Sequence, residues 1–103
     1  MARPFVVVVR HDLGREEARR RLAHGLTELG TAYGGVLKDI VARWEDDRLH
    51  GEATLLGVRL SAVVEVADDT VRLETALPTV LALVADRAKG FVEKEGAHLL
   101  RKR

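Results

Sequence analysis

The sequence predicts an α+β fold in the order β-α-β-β-β-β-α, an antiparallel sheet with two helices packed on one face. Three observations lead there. Residues 40–77 fall into four runs that alternate apolar with polar or small residues, the period of half-buried strands, separated by Asp46-Asp47, Leu56-Gly57 and Asp68-Asp69. Apolar residues at helical spacing occur on either side, from Ala18 to Leu29 and from Leu77 to Leu100. Third, if each doublet is a two-residue hairpin loop, all four strands put their apolar sets on the same side. A one-residue slip would send a strand's whole set to the wrong face, so the agreement specifies a meander.

Taken in order, Phe5 to Arg10 is a first strand, since Phe and four Val are β-formers. Both of its faces are apolar, so the second is either covered or an exposed patch that suggests a partner. His11-Asp12-Leu13-Gly14 then leads into a helix with Gly14 at the N-cap, Glu16 and Glu17 in the dipole-favoured first turn, and Leu13 placed to staple onto Ala18. Ala18, Leu22, Leu26 and Leu29 make its apolar stripe, and Gly30 with Gly34-Gly35 is expected to end it.

In the meander, Trp44, Leu49, Val64 and Leu73 form one core row, and Ile40, Ala53, Leu60 and Leu77 a second. Trp44 is expected to be mostly buried. Between these rows Ala42, Gly51, Ala62 and Thr75 line up as a trough of small side chains, which either receives a helix or holds an apolar ligand. The opposite face carries Glu45, Arg48, Glu65 and Arg72 as a cross-strand row of alternating charge, worth about 0.2–1 kcal/mol per pair, and is expected to be wet.

Pro78 ends the last strand and opens a helix expected from Thr79 to Leu100, with Leu77, Leu81, Val84, Ala88 and Phe91 on the face that would lie over the trough. Gly90 and Gly96 weaken it by about 1 kcal/mol each relative to Ala. Arg101-Lys102-Arg103 complements its C-terminus. Placing strand one beside strand five keeps the sheet wholly antiparallel.

At 103 residues the chain is expected to form one domain, 1–103. Seventeen basic against sixteen acidic side chains leave a net charge of +1, which gives no general pull toward nucleic acid or anionic membrane. Thirteen of the seventeen are Arg, read as composition bias. With no cysteine, disulfide and thiolate chemistry are excluded. The apolar run Phe5–Val9 is too short for a membrane span or signal core, so the expectation is a soluble cytoplasmic protein without a membrane span.

No catalytic, metal or cofactor-binding set emerges. Ser61, the only serine, lies mid-strand on the wet face, and the Asp doublets sit where hairpin tips want Asp for backbone reasons. His24, His50 and His98 are not at metal-ligand spacing. His11, at the join of strand one and helix one, is either hydrogen-bonded to backbone there or a pH-sensitive switch or ligand contact. Arg19-Arg20-Arg21 and the basic tail read as solvated helix surface. The three-strands-then-helix order is shared with double-stranded RNA binding modules, but Thr79 to Asp86 lacks their basic helix start, so nucleic acid is not the expected partner.

Arg10-His11-Asp12-Leu13-Gly14, the following Glu16-Glu17-Ala18-Arg19, Trp44 before Asp46-Asp47 and Leu49 after, Gly57, Val64-Glu65-Val66, Asp68-Asp69 and Leu77 together resemble the small bacterial polyhydroxyalkanoic acid system (granule region) proteins. The resemblance runs over nearly the whole chain. It departs at Gly51, where those proteins carry an aromatic residue, and at Gly90 and Gly96, where they keep charged helix formers. It implies an accessory role in polyhydroxyalkanoate storage and no catalytic signature.

Two functions are therefore carried forward. One is a non-enzymatic accessory protein that contacts a polyhydroxyalkanoate granule or a granule protein, with Val6, Val8, Val41 and Val63 as the interaction face. The other is a helix-grip-like carrier holding an apolar small ligand between sheet and C-terminal helix. A homodimer is also expected, because strand one is apolar on both faces and the sheet leaves an edge to cover.

Overall fold

The computed structural model describes residues 2–83 and 85–101, the side chains of Ala2, Arg3, Leu29 and Ala82 excepted. Val84, Lys102, Arg103 and the Leu29 side chain, used in the sequence reading, lie outside them. The elements are β1 (Ala2–Arg10), α1 (Arg15–Ala32), β2 (Leu37–Glu45), β3 (Arg48–Leu55), β4 (Val58–Val66), β5 (Thr70–Pro78), α2 (Thr79–Ala82) and α3 (Ala85–Leu99). The five strands form one antiparallel sheet in the order β1-β5-β4-β3-β2, with β1 beside β5 as expected.

The register is the one the hairpin doublets dictate. Trp44 pairs with Leu49, Leu49 with Val64 and Val64 with Leu73, while Ala53 pairs with Leu60. Leu56 and Gly57 have φ of 51° and 83°, the consecutive left-handed pair that a two-residue hairpin loop of matching twist needs.

β2 differs from expectation. It begins at Leu37, and an extra residue between Lys38 and Val41 shifts its register against β3, with Asp39 at φ 54°. This is a β-bulge, and it keeps Ile40 from pairing with Ala53. The Asp39 carbonyl accepts a hydrogen bond from Arg59 Nη1 at 3.2 Å. Ile40 turns toward α1, where a side chain at Gly30 would begin 3.6 Å from its Cδ1. Gly30 thus lies inside α1 and does not end it.

The C-terminal helix also differs. Instead of one helix from Thr79 to Leu100 there are two, broken at Leu83, which is 95% exposed, and not at either glycine. The break allows Leu81 to stay buried against Phe5, Val7 and Leu77 while α3 runs along β1, with Ala85, Ala88 and Val92 packed on the same cluster. α3 is wedged between sheet and α1. A Cβ at Gly96 would stand 3.0 Å from Val9 Cγ2, and one at Gly25 2.7 Å from Leu99 Cδ2. Gly96, expected to weaken the helix, is where it comes closest to β1.

The core has two parts. One is the Phe5 cluster; the other centres on Ala18, Val66, Val71 and Leu100, with Leu13, Leu22 and Trp44 around it. Trp44 faces the core but is only half-buried, short of the expected burial, and Arg19 of α1 lays its guanidinium over the ring, 4.7 Å from the centroid. Both clusters lie on the helix side of the sheet, which leaves the other side uncovered.

Candidate functional site

The alternating strands send every second residue to the uncovered face, and the ladder fixes who stands beside whom. Glu45, Arg48, Glu65 and Arg72 are consecutive cross-strand neighbours from β2 to β5. The next row is Arg43, His50, Val63, Glu74 and Val6. Ion pairs join Arg48 to Glu65 at 3.4 Å, Arg72 to Glu74 at 2.5 Å and Arg59 to Glu52 at 3.8 Å. Arg43 makes no ion pair among the described residues. Val6, Val8 and Val41 are 37, 52 and 58% exposed, while Val63 is half-buried. The four valines read as an interaction face therefore share one side of the sheet, three of them open to solvent. At its centre is a depression of about 670 Å³, with Arg43, His50, Ser61, Val63 and Glu74 on its walls.

The trough residues form the expected row on the helix side, Ala42 paired with Gly51, Gly51 with Ala62 and Ala62 with Thr75. Phe5 stands opposite Thr75 on β1 and is buried, so a large ring closes that end, whereas Ala42 at the other end is exposed. The Thr75 hydroxyl donates to the Ser61 carbonyl and is used within the sheet. Leu81 and Ala88 pack at the Phe5 end. Phe91 is 42% exposed and meets Tyr33 edge-on, ring centroids 5.5 Å apart.

His11 is buried, its backbone N–H donating to the Asp69 carbonyl at 2.9 Å. Its ring Nδ1 accepts from the Leu13 N–H at 3.2 Å, so the imidazole props the turn that starts α1, while Nε2 is buried without a hydrogen-bond partner. Among the described residues no three His, Cys, Asp or Glu gather as a metal-binding group.

The first turn of α1 carries charge chemistry that the sequence pattern did not single out. Glu17 accepts from Arg20, and from Arg21 Nε at 2.9 Å. These bonds, Arg20 first, hold its carboxyl down at about 2, and Glu17 in turn raises the Arg20 guanidinium. Arg21 also donates to the carbonyls of Leu99, at 3.4 Å, and Arg101, tying the end of α3 to α1. An i,i+4 Glu-Arg pair was visible in the sequence; its reach to the far end of the chain was not.

Comparison with known families finds a match over residues 6–100 to the family described as "Putative polyhydroxyalkanoic acid system protein". The chain belongs to that family. No curated protein matches it, and no solved structure does. In this polyhydroxyalkanoic acid system protein, the residues that carried the resemblance build the fold. His11 and Ala18 are buried at the strand-to-helix join, Gly14 has φ 80°, Gly57 forms a hairpin turn and Leu77 lies in the core. Among the described residues no helix is long and apolar enough to cross a membrane.

Proposed function

We propose that the chain is a non-enzymatic accessory protein of polyhydroxyalkanoate storage that acts by contact, using the uncovered face of its sheet against a granule surface or granule protein. The observation that carries this reading is the exposure of Val6, Val8 and Val41 together on that face. Solvent-facing valines on one side of a sheet leave apolar area that an apolar polymer surface or a protein can take up. Ser61 and His50 share the depression, but among the described residues no hydrogen bond joins them, and His11 is committed to the turn before α1.

The test is co-sedimentation with polyester granules and pull-down of granule proteins, using the wild-type chain and Val6→Lys/Val8→Lys. Both valines are surface residues, so the variant is expected to fold. The wild type should associate and the variant should lose most of that association. A wild-type chain that neither sediments with granules nor retains any granule protein overturns the reading.

A further inference from the structure

We infer that the uncovered face docks a second copy of this chain, about a two-fold axis that runs along the strands between β3 and β4. This rests on reading that face as a contact surface and names its occupant. Charge complementarity favours it, row by row.

A two-fold axis lying in the interface and parallel to the strands reverses each cross-strand row and lays it over itself. The row Glu45, Arg48, Glu65, Arg72 reads minus, plus, minus, plus, and its reversal is its own charge inverse. Glu45 then faces Arg72 of the second copy, and Arg48 faces Glu65. The neighbouring row obeys the same rule, with Arg43 over Glu74 and His50 over Val63. In the third row Glu52 comes over the Ser61 hydroxyl. Arg43, which makes no ion pair among the described residues, gains one. Each contact occurs twice by symmetry.

Moving the axis by half a strand spacing destroys the match. With the axis along β4, Arg48 faces Arg72 and Glu65 faces its own copy; along β3, Glu45 faces Glu65. The like-charge alternatives are therefore penalised, and an axis between β2 and β3 or between β4 and β5 keeps opposite charges facing but forms fewer pairs, so the axis between β3 and β4 makes the most matches. The central depression gives room for the long Arg and Glu side chains of the opposing copy. Four strands about 4.8 Å apart and three rows about 7 Å apart make a flat footprint of about 400 Å² per copy, about 800 Å² in total and below the size of standard specific interfaces, so a weak dimer with a Kd of about 100 μM is expected. β1 overhangs the four-strand patch, and Val6 and Val8 stay uncovered at its rim. The dimer covers Val41 and Val63, and Val6 and Val8 on β1 are left for granule contact.

Sedimentation equilibrium of the full chain tests this with Arg43→Glu, Glu74→Arg and the two combined. Within one chain these positions lie three strands apart, about 14 Å, beyond the screening length at physiological salt, so one cannot rescue the other internally. The wild type should dimerise, each single variant should weaken dimerisation about tenfold or more, and the double variant should recover it. Glu45→Arg, Arg72→Glu and their combination provide an independent set, with circular dichroism to establish folding. A wild-type monomer at about 300 μM, single variants that dimerise like wild type, or a double variant that stays monomeric overturns the inference. A monomer that still binds granules ends this inference and leaves the accessory reading standing; a dimer that ignores granules does the reverse.

Discussion

Replacing Trp44 by Ala probes the one place where the meander, the first helix and a cation meet. A fully buried Trp truncated to Ala costs about 3–5 kcal/mol. Here the indole is only half-buried, against the Ala18 cluster, so about half of that, near 2 kcal/mol, is expected from lost packing. The Arg19 guanidinium 4.7 Å from the ring centroid adds about 0.5–1 kcal/mol, and truncation leaves that side chain, whose Nε is buried without a hydrogen-bond partner, without its platform. The sum, about 2–3 kcal/mol, is a large part of a typical stability of about 5–15 kcal/mol and corresponds to a fall in Tm of about 10–20 °C. Urea denaturation followed by far-UV circular dichroism measures it, since the variant has no Trp. Trp44→Ala, Arg19→Ala and the double variant complete a cycle whose coupling should be about 0.5–1 kcal/mol. A Trp44→Ala cost below about 0.5 kcal/mol, or native indole emission typical of full exposure, would refute the packing described for β2 against α1.

Two further outcomes follow from single residues. Glu17, held down at about 2 by Arg20 and Arg21, contributes its full share to α1 above its unfolded value of 4.5 and loses it as the pH falls through about 2. A carboxyl NMR titration should find its midpoint at about 2, and a midpoint near 4.5 would dissolve the pairing. Leu56, exposed at φ 51° in the first position of a two-residue hairpin, should be improved by Asn, which tolerates that conformation, and Leu56→Asn is expected to raise stability by about 0.5–1 kcal/mol in urea melts. A loss of stability there would show that the turn is held by something other than its backbone.

The meander was legible because a period of two leaves no slack. Asp46-Asp47, Leu56-Gly57 and Asp68-Asp69 each fix a loop, and the row Trp44, Leu49, Val64, Leu73 then assembles without reference to anything distant. The bulge at Asp39 was not legible, because an extra residue interrupts the alternation that reveals a strand, so Leu37 and Lys38 looked like loop. Nor was the break at Leu83, where backbone geometry stays helical at φ −65° and ψ −21°, and no proline or glycine marks the change. Gly96 read as a weak point from propensity alone, and Gly25 was not singled out; their contacts with Val9 and Leu99 depend on how α3 lies against α1 and β1, which periodicity does not encode. Of the candidate site, the shared face of Val6, Val8, Val41 and Val63 followed from parity along the strands. The self-inverse order of charges across it needed the ladder to be drawn from β2 to β5.

The pairing of β1 with β5 also sets a timetable. Each hairpin of the meander can zip within a few residues of itself, but β1 has no partner until β5, which begins about sixty residues further on. At about 5–20 residues per second of synthesis, a valine-rich strand with two apolar faces stays unpaired for several seconds on the ribosome. Pro4 and Arg10 bracket the apolar run Phe5–Val9 of that strand, one unable to donate a ladder hydrogen bond and the other charged, the kinds of residue that discourage intermolecular strand pairing. A nascent chain stopped short of Thr70 carries this strand open, so the first element made is the last the sheet can secure.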